Sequence, residues 1–540
     1  MSSASAREGS VPLNLIVLSI PVFFLLIAVE LIWIRIQERD YYRLSDSLND
    51  LSCGILQQLV EAFLKTALFA GYVFLFERYR FFTAPYAPWA WVACFLGVDF
   101  FYYWFHRTSH EVNAVWATHV VHHQSEEFNL TVALRQGAFQ GAFSWVFYLP
   151  LALLGFPPLM FLTLTSVNTL YQFWIHTRAI GRMGPLEWVL NTPSNHRVHH
   201  GRNPKYIDRN HGGTLIVWDR LFGTYQAEEE EVAYGITTPL SSWNPVWANL
   251  HYWVELWQKA KRAARPLDKV RMFLKPPGWH PADLGGFQEA ADVTGQPLRR
   301  YETPVPAGLA AYILAQFGLV LVGTTALLFV QNHLPAAVLG AAALLIVSSL
   351  VALGGLFERK RWALWLEGSR LLLVTAAAAW WLAGWSWGWA LLAAASVAAG
   401  AAFLAWLRRY RPLFAPAARV AAGLMLLALF GCEDSTSASG DYRVAVGSET
   451  FVLRLTDPAT IAAVERALQG SASTFPAGPL RRGDGGFNQP WSWHLDPAET
   501  RMVEAAIEVC DGTPSYVEGH VDDFVAVGYC PWGARVIARQ

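Results

Sequence analysis

Residues 88–123 read PWAWVACFLGVDFFYYWFHRTSHEVNAVWATHVVHH. Pro88–Phe105 is an apolar run close to the length of about 20 residues that crosses a bilayer, and it passes without a break into His106. Two histidine motifs follow, His106-x-x-x-His110 and His119-x-x-His122-His123. A third, His196-x-x-His199-His200, lies further on, and ten of the fifteen histidines fall between His106 and His211. Positions i, i+3 and i+4 of a helix share a face, so each motif is expected to project its imidazoles in one direction. Neutral imidazole suits iron, zinc and copper. Eight imidazoles are too many for one metal ion and enough for two. A lone histidine on an apolar face is usually a core residue, but three clusters at ligand spacing beside apolar spans are not explained that way. His176, at the end of the run Tyr171–His176, is a ninth candidate ligand. His211 stands open between a supporting and a purely structural place. Cysteine is absent from this region, which argues against a structural zinc site.

Working outward, the chain of 540 residues is 54% hydrophobic, which points to a membrane, and its net charge of −1 gives nucleic acid no electrostatic footing. Further candidate spans are Pro12–Ile36, with Glu30 inside it, and Leu51–Phe76. The second carries Gln57, Gln58, Glu61 and Lys65 in its first half, facing either a protein interior or the interface. Phe143–Trp174, interrupted by Pro150 and by Pro157-Pro158, reads as two half-helices that enter and leave on one side. Ile175–Tyr301 is polar and includes the acidic run Glu228–Glu231. Four more apolar spans follow: Ala307–Val330, Pro335–Leu356, Trp362–Trp385 and Ala390–Leu407. A shorter run, Val420–Phe430, ends at Gly431-Cys432.

Basic loops favour the cytoplasmic side. With Arg359-Lys360-Arg361 and Arg408-Arg409-Tyr410-Arg411 inside, counting spans puts all the histidine motifs inside and the residues after Phe430 outside. The expected fold is an all-α polytopic membrane domain with a histidine-rich cytoplasmic cap and a small extracytoplasmic α+β domain at the C-terminus. The expected boundaries are 1–303 for the histidine-bearing domain, 304–431 for additional transmembrane helices, 432–440 for a Ser/Gly linker and 441–540 for the α+β domain. Tyr442–Val446 and Thr450–Leu455 read as a strand hairpin, and Asp457–Leu468 and Pro497–Val509 as helices. An extracytoplasmic compartment permits disulfides, so Cys510 and Cys530 are expected to pair. Glu111, Glu126, Glu127 and Asp99 are candidates for orienting histidine N–H groups.

Many imidazoles with few carboxylates, at a bilayer surface, suit an iron pair that activates dioxygen to oxidise a C–H bond of a lipid. The strings HRTSHEVNAVWATHVVHHQSEEFNLTVALRQ (106–136) and NTPSNHRVHHGRNPKYIDRNHGGTLIVWDRLFGT (191–224) resemble the fatty acid hydroxylase / sterol desaturase superfamily, and within it the alkylglycerol monooxygenase branch. The likeness covers roughly 15–285. It implies two iron ions held by His106, His110, His119, His122, His123, His196, His199 and His200, with Glu111 as a catalytic-site residue. It also implies dioxygen, a membrane lipid substrate, and an external electron donor. For the alkylglycerol branch that donor is tetrahydrobiopterin, and a ferredoxin-type protein is the alternative. The implied reaction hydroxylates the carbon next to an ether oxygen. Two departures stand out: Asn195 where relatives often carry a histidine, and Gln172 where fatty acid hydroxylases carry a ligand. A sterol or fatty-acyl hydroxylase or desaturase is the competing enzyme reading, and a metal-binding scaffold or transporter the non-enzymatic one.

Val420–Cys432 resembles the end of a bacterial lipoprotein signal, which points to a bacterial inner membrane; a ninth crossing is the alternative. Residues 441–540 resemble the N-terminal domain of calcium-dependent cell-adhesion-type proteins. That likeness implies an extracytoplasmic partner, with Asp484, Asp496 and Asp511 as candidate calcium ligands.

Overall fold

The computed structural model describes residues 15–290, 293, 300–383, 387–414 and 440–539, without 458–459, 462–463, 466–467, 469–473, 504–509 and 533. Val420–Phe430, Cys432 and the expected linker therefore lie outside the described residues, and the helix expected at Asp457–Leu468 lies largely outside them. The chain forms two compact units, 1–414 and 415–540.

The first unit is helical. Its elements are α1 (Leu15–Ile36), α2 (Leu44–Tyr79), α3 (Pro88–Glu111), α4 (Asn113–His123), α5 (Gln140–Leu153), α6 (Pro158–Trp174) and α7 (Pro193–His199). They continue with α8 (Val217–Phe222), α9 (Pro245–Arg262), α10 (Pro266–Leu274), α11 (Ala307–Val330), α12 (Ala336–Phe357), α13 (Arg361–Ala383) and α14 (Trp387–Leu407). Among the described residues four helices are long and apolar enough to span a membrane: α1, α2, α11 (with the turn to His333) and α12. The protein is an integral membrane protein.

Helix α3 starts on Pro88, whose fixed φ suits the first helical position, and continues through His106 and His110. A single extended residue, Val112 (φ −130°, ψ 116°), separates it from α4. The second histidine motif therefore ends α4 rather than opening a helix. Helices α5 and α6 form the expected hairpin, but Pro150 lies inside α5 and the break falls at Leu154–Pro157. Gly155 makes that turn at φ +80°. A Cβ there would meet the Phe82 carbonyl at 1.7 Å, so both conformation and space demand glycine.

Helix α2 begins a full turn before the apolar run that predicts it. Asp46, Asn49 and Asp50 on that extension are buried, and they fasten the membrane helix to the polar segment. Asp46 accepts from Ser125 (2.6 Å) and Asp50 from Thr131 (2.8 Å). Arg135, also buried, donates to Asn49, Asp50, Gln124 and the Val121 carbonyl. Glu30, the charge within the first span, is buried and accepts from Tyr42, Thr177 and the Leu130 N–H. Residues beyond 303 pack onto the same body: Leu309, Ile313 and Phe317 of α11 and Leu350 and Leu353 of α12 share a core with Leu48, Ile55 and Leu59 of α2. Inside that bundle Glu367 and Arg370 pair with each other and with Tyr312 and Gln316.

In the second unit β1 (Gly440–Val446) and β2 (Glu449–Leu455) form the expected hairpin, and β7 (Arg535–Arg539) pairs on the other edge of β1. Two short pairs accompany this sheet. β3 (Phe475–Ala477) pairs with β6 (Arg501–Val503), and β4 (Leu480–Arg482) with β5 (Trp493–Leu495). Helices α15 (Pro514–Gly519) and α16 (Val521–Val527) complete the α+β unit. Strand β6 corrects the helix expected over Pro497–Val509: its pairing with β3 overrides the local helix signal. Cys510 and Cys530 are disulfide-bonded. Asp484, Asp496 and Asp511 each bind backbone N–H groups of nearby loops, and among the described residues they do not converge on a common point.

Removing the Arg135 guanidinium leaves the Asp50 carboxylate, 0% exposed, without its cation. Breaking a buried pair from one side costs about 3–5 kcal/mol. Arg135→Ala should therefore lower the apparent melting temperature of the detergent-purified protein sharply; an unchanged melting curve would show that the clasp is dispensable.

Candidate metal centre

Nine imidazoles converge in the polar cap, in two adjoining groups. His106, His110, His119, His123 and His199 form one; His122, His176, His196 and His200 form the other. Within each group the ligand atoms lie within 4.8 Å of one another, and every residue is buried. All nine histidines singled out in the sequence are thus brought together, His176 included.

The motifs do not project in one direction. A helix turns about 100° per residue, so i+3 and i+4 lie on opposite sides of i and about 100° apart. In α4, His119 and His123 serve one group and His122 the other. In α7, His196 and His200 serve the second group and His199 the first. Each H-x-x-H-H motif therefore straddles both groups and holds them side by side; the His123 and His200 rings stack with centroids 4.4 Å apart.

Main-chain carbonyls fix the tautomers. Nδ1 of His106 donates to the His211 carbonyl (2.8 Å), that of His122 to Arg135 (2.8 Å), that of His176 to Gln172 (2.7 Å) and that of His199 to Arg209 (3.0 Å). His119 Nδ1 donates to the Gln140 side-chain oxygen (2.9 Å). With the proton held at Nδ1, each of these rings presents a bare lone pair at Nε2. Burial lowers every pKa in the cluster, that of His119 and of His176 to about 4, so the rings are neutral at physiological pH. Yet Nε2 of His106 lies 3.0 Å from Nε2 of His119, and Nε2 of His122 lies 3.1 Å from Nε2 of His176. Each group thus contains two lone pairs facing each other with no proton between them. Nε2 of His110, His199 and His200 is buried without a hydrogen-bond partner. Two metal–nitrogen bonds of about 2.1 Å at a right angle span about 3.0 Å, so the residues fit one cation in each group.

The expected carboxylate orienters have other tasks. Asp99 accepts from the N–H groups of Thr214 and Leu215, from Trp218 and from Asn168. Glu126 and Glu127 bind Arg43, and Glu127 also binds Arg178 and Arg300. Glu111 pairs with Arg107 at 2.8 Å, its side chain 45% exposed and outside both groups. The carboxylate beside the cluster is Asp208, 3.6 Å from His110 Nδ1. Asp219 positions the loop that carries the His211 carbonyl by accepting from the N–H groups of His211 and Gly212, each at 2.7 Å. A Cβ at Gly213 would strike Tyr102 at 2.7 Å, so that loop can lie against α3 only with glycine there. His211 thus supports the site through its backbone, while its own ring is buried 5.1 Å from the His110 ring, centroid to centroid. Arg197 locks α7 to the acidic run through two 2.7 Å bonds to Glu228. The sequence offered the Asn-His-Gly-Gly string as a sign of this loop but nothing that assigned Asp219, Asp208 or Gln140.

A cavity of about 400 Å³ reaches His119, His122 and His176 from within the membrane helices. It runs among α1, α2, α5, α6 and α11, with Phe23, Phe69, Tyr72, Trp145 and Phe161 in its walls.

The fatty acid hydroxylase family model matches residues 91–224, the stretch holding all nine converging histidines. An alkylglycerol monooxygenase from Homo sapiens is 40% identical over 363 residues, covering 65% of this chain and 80% of the relative. One from Danio rerio is 38% identical over 360 residues, covering 66% and 80%. The chain belongs to the alkylglycerol monooxygenase family. An ornithine lipid hydroxylase from Rhizobium tropici is 31% identical over a shorter stretch, 24% of this chain and 39% of the relative. A second family model, that of the N-terminal domain which the sequence of the last hundred residues resembles, matches residues 440–540. No solved structure matches the chain. This membrane monooxygenase therefore carries an additional domain beyond its enzyme part.

The protein purified after iron-supplemented growth should contain two transition-metal ions per chain by elemental analysis. His122→Ala or His199→Ala should reduce that content, and Gln140→Leu should weaken retention of metal at His119 about 10–100-fold. His333→Ala, in the turn between α11 and α12, should change nothing. One metal or less in the unaltered protein would contradict the reading of two groups.

Proposed function

We propose that the protein is a di-iron monooxygenase that cleaves the ether bond of alkylglycerols with dioxygen. The observation that carries this reading is the largely apolar cavity that ends on imidazoles of both groups, His119 on one and His122 and His176 on the other. The same nine histidines are proposed as the iron ligands. When bound, iron with dioxygen supplies an oxidant able to take hydrogen from an aliphatic C–H bond. The protein's own part is to hold a lipid carbon at the end of the cavity, exclude water through the buried cap, and keep Nε2 of each orienting ring free. A carbon beside an ether oxygen is favoured, because the oxygen lone pair weakens its C–H bond. One oxygen atom enters that carbon, and the hemiacetal collapses to a fatty aldehyde and glycerol. The other oxygen atom leaves as water, which takes two electrons from an external donor. A reduced pterin is the donor proposed, with a ferredoxin-type protein as the alternative.

The proposed topology places the histidine cap in the cytoplasm and residues 441–540 on the opposite side. The basic loops at Arg359–Arg361 and Arg408–Arg411 support it, and so does the Cys510–Cys530 disulfide.

Membranes containing the protein should convert a labelled alkylglycerol to aldehyde and glycerol, consuming dioxygen, when supplied with reduced pterin. Aldehyde formed only with ferredoxin would keep the reaction and change the donor. A hydroxylated sterol or acyl chain with no aldehyde would overturn the substrate assignment.

Reporter fusions after Arg265 and after Gly440 should report opposite compartments. The same compartment for both would contradict the proposed topology.

A further inference from the structure

Gln57, Gln58, Glu61 and Lys65 lie on α2, a membrane-spanning helix, where polar side chains are costly unless they have a task. All four line the cavity. Gln57 Nε2 donates to Glu61 Oε1 at 2.8 Å, and among the described residues this is the one hydrogen bond to that carboxylate. An ionised carboxylate has about four acceptor positions, so most of the capacity of Glu61 faces the cavity unused. Its level is set by α5: a Cβ at Gly141 would lie 3.6 Å from Glu61 Oε1, and the neighbouring Gln140 holds His119. Glu61 is therefore beside the metal end of the cavity. The lining from α1 and α6 at that end is apolar, with Phe23 stacked on Phe173 at 4.3 Å.

We infer that the Gln57–Glu61 pair is the headgroup site of this cavity and binds the vicinal hydroxyls of a neutral glycerol ether, while the alkyl chain lies on the Phe23–Phe173 wall. The inference rests on the proposed reaction and names what selects its substrate. A carboxylate needs hydrogen donors, and a 1-alkylglycerol offers two hydroxyls, two and three bonds from the ether oxygen. The carbon to be oxidised is bonded to that same oxygen, so hydroxyls at Glu61 leave it next to His119 and His122. A sterol offers a single hydroxyl. A fatty acid or phospholipid brings a negative group against Glu61 and is repelled. The pair thus attracts one headgroup class and excludes the commonest competitors.

The test measures equilibrium binding of a tritiated 1-O-alkylglycerol and of its 2,3-di-O-methyl analogue to the full, metal-loaded protein in lipid nanodiscs, alongside steady-state turnover. The unaltered protein should prefer the diol by about ten- to a hundredfold, the value of one or two hydrogen bonds to a charged group. Glu61→Leu should abolish that preference by weakening diol binding alone, raise KM more than it lowers kcat, and leave the metal content unchanged. Glu61→Gln, which keeps size and packing, should show an intermediate loss. Metal content and binding of the dimethyl analogue report that each variant is folded. A diol preference that survives in both variants overturns the headgroup site while leaving ether cleavage intact. A diol preference that depends on Glu61 in a protein that never forms aldehyde supports the site and overturns the reaction.

Discussion

Imidazole lone pairs that face one another in a dry interior are the constraint on which this structure depends. Nδ1 of His106, His119, His122, His176 and His199 is tied outward to carbonyl oxygens, so the Nε2 atoms that meet at 3.0 and 3.1 Å have no proton to share. Burial disfavours protonation, which would be the other way to relieve the contact. A cation in each group satisfies every one of these atoms at once. The cap is therefore organised to hold metal before any substrate arrives.

Holding neutral, converging donors requires a stiff surround, and the chain builds it from buried charges rather than from apolar packing. Arg135 bolts the start of α2 to α4 and offers its carbonyl to His122. Asp99 and Asp219 hold the loop whose carbonyl orients His106. Arg197 and Glu228 clamp α7. Each clasp is satisfied at several positions, as buried ions must be. They also explain the acidic Glu228 and the charges at Asp46 and Asp50, which as a sequence look like ordinary surface or interface residues.

Much of this was legible in the sequence, and the limits are physical. Histidine spacing identified all nine converging residues, because few other tasks need so many imidazoles beside apolar spans. Spacing did not reveal that each H-x-x-H-H motif serves both groups, since that follows from the 100° helical step and from which neighbour each face meets. The orienting carbonyls were invisible, because any residue can supply one. Nearby acidic residues were the natural candidates, yet Glu111 turns to Arg107 and Asp99 to a loop. The strand hairpin at residues 440–455 and the Cys510–Cys530 pair were readable, while β6 was not, since three residues carry little periodicity and owe their shape to β3.

The cavity joins the two halves of the account. It brings lipid-depth apolar walls to the imidazoles, and it places the polar positions of α2 where a headgroup would sit. Whether the imidazoles themselves hold the metal is the central claim. X-ray absorption spectroscopy of the iron-loaded protein tests it most directly. The account predicts a nitrogen-dominated first shell with the outer-shell scattering of four to five imidazoles per iron, as the two groups provide. A shell dominated by carboxylate oxygen, with one or two imidazoles per iron, would contradict it.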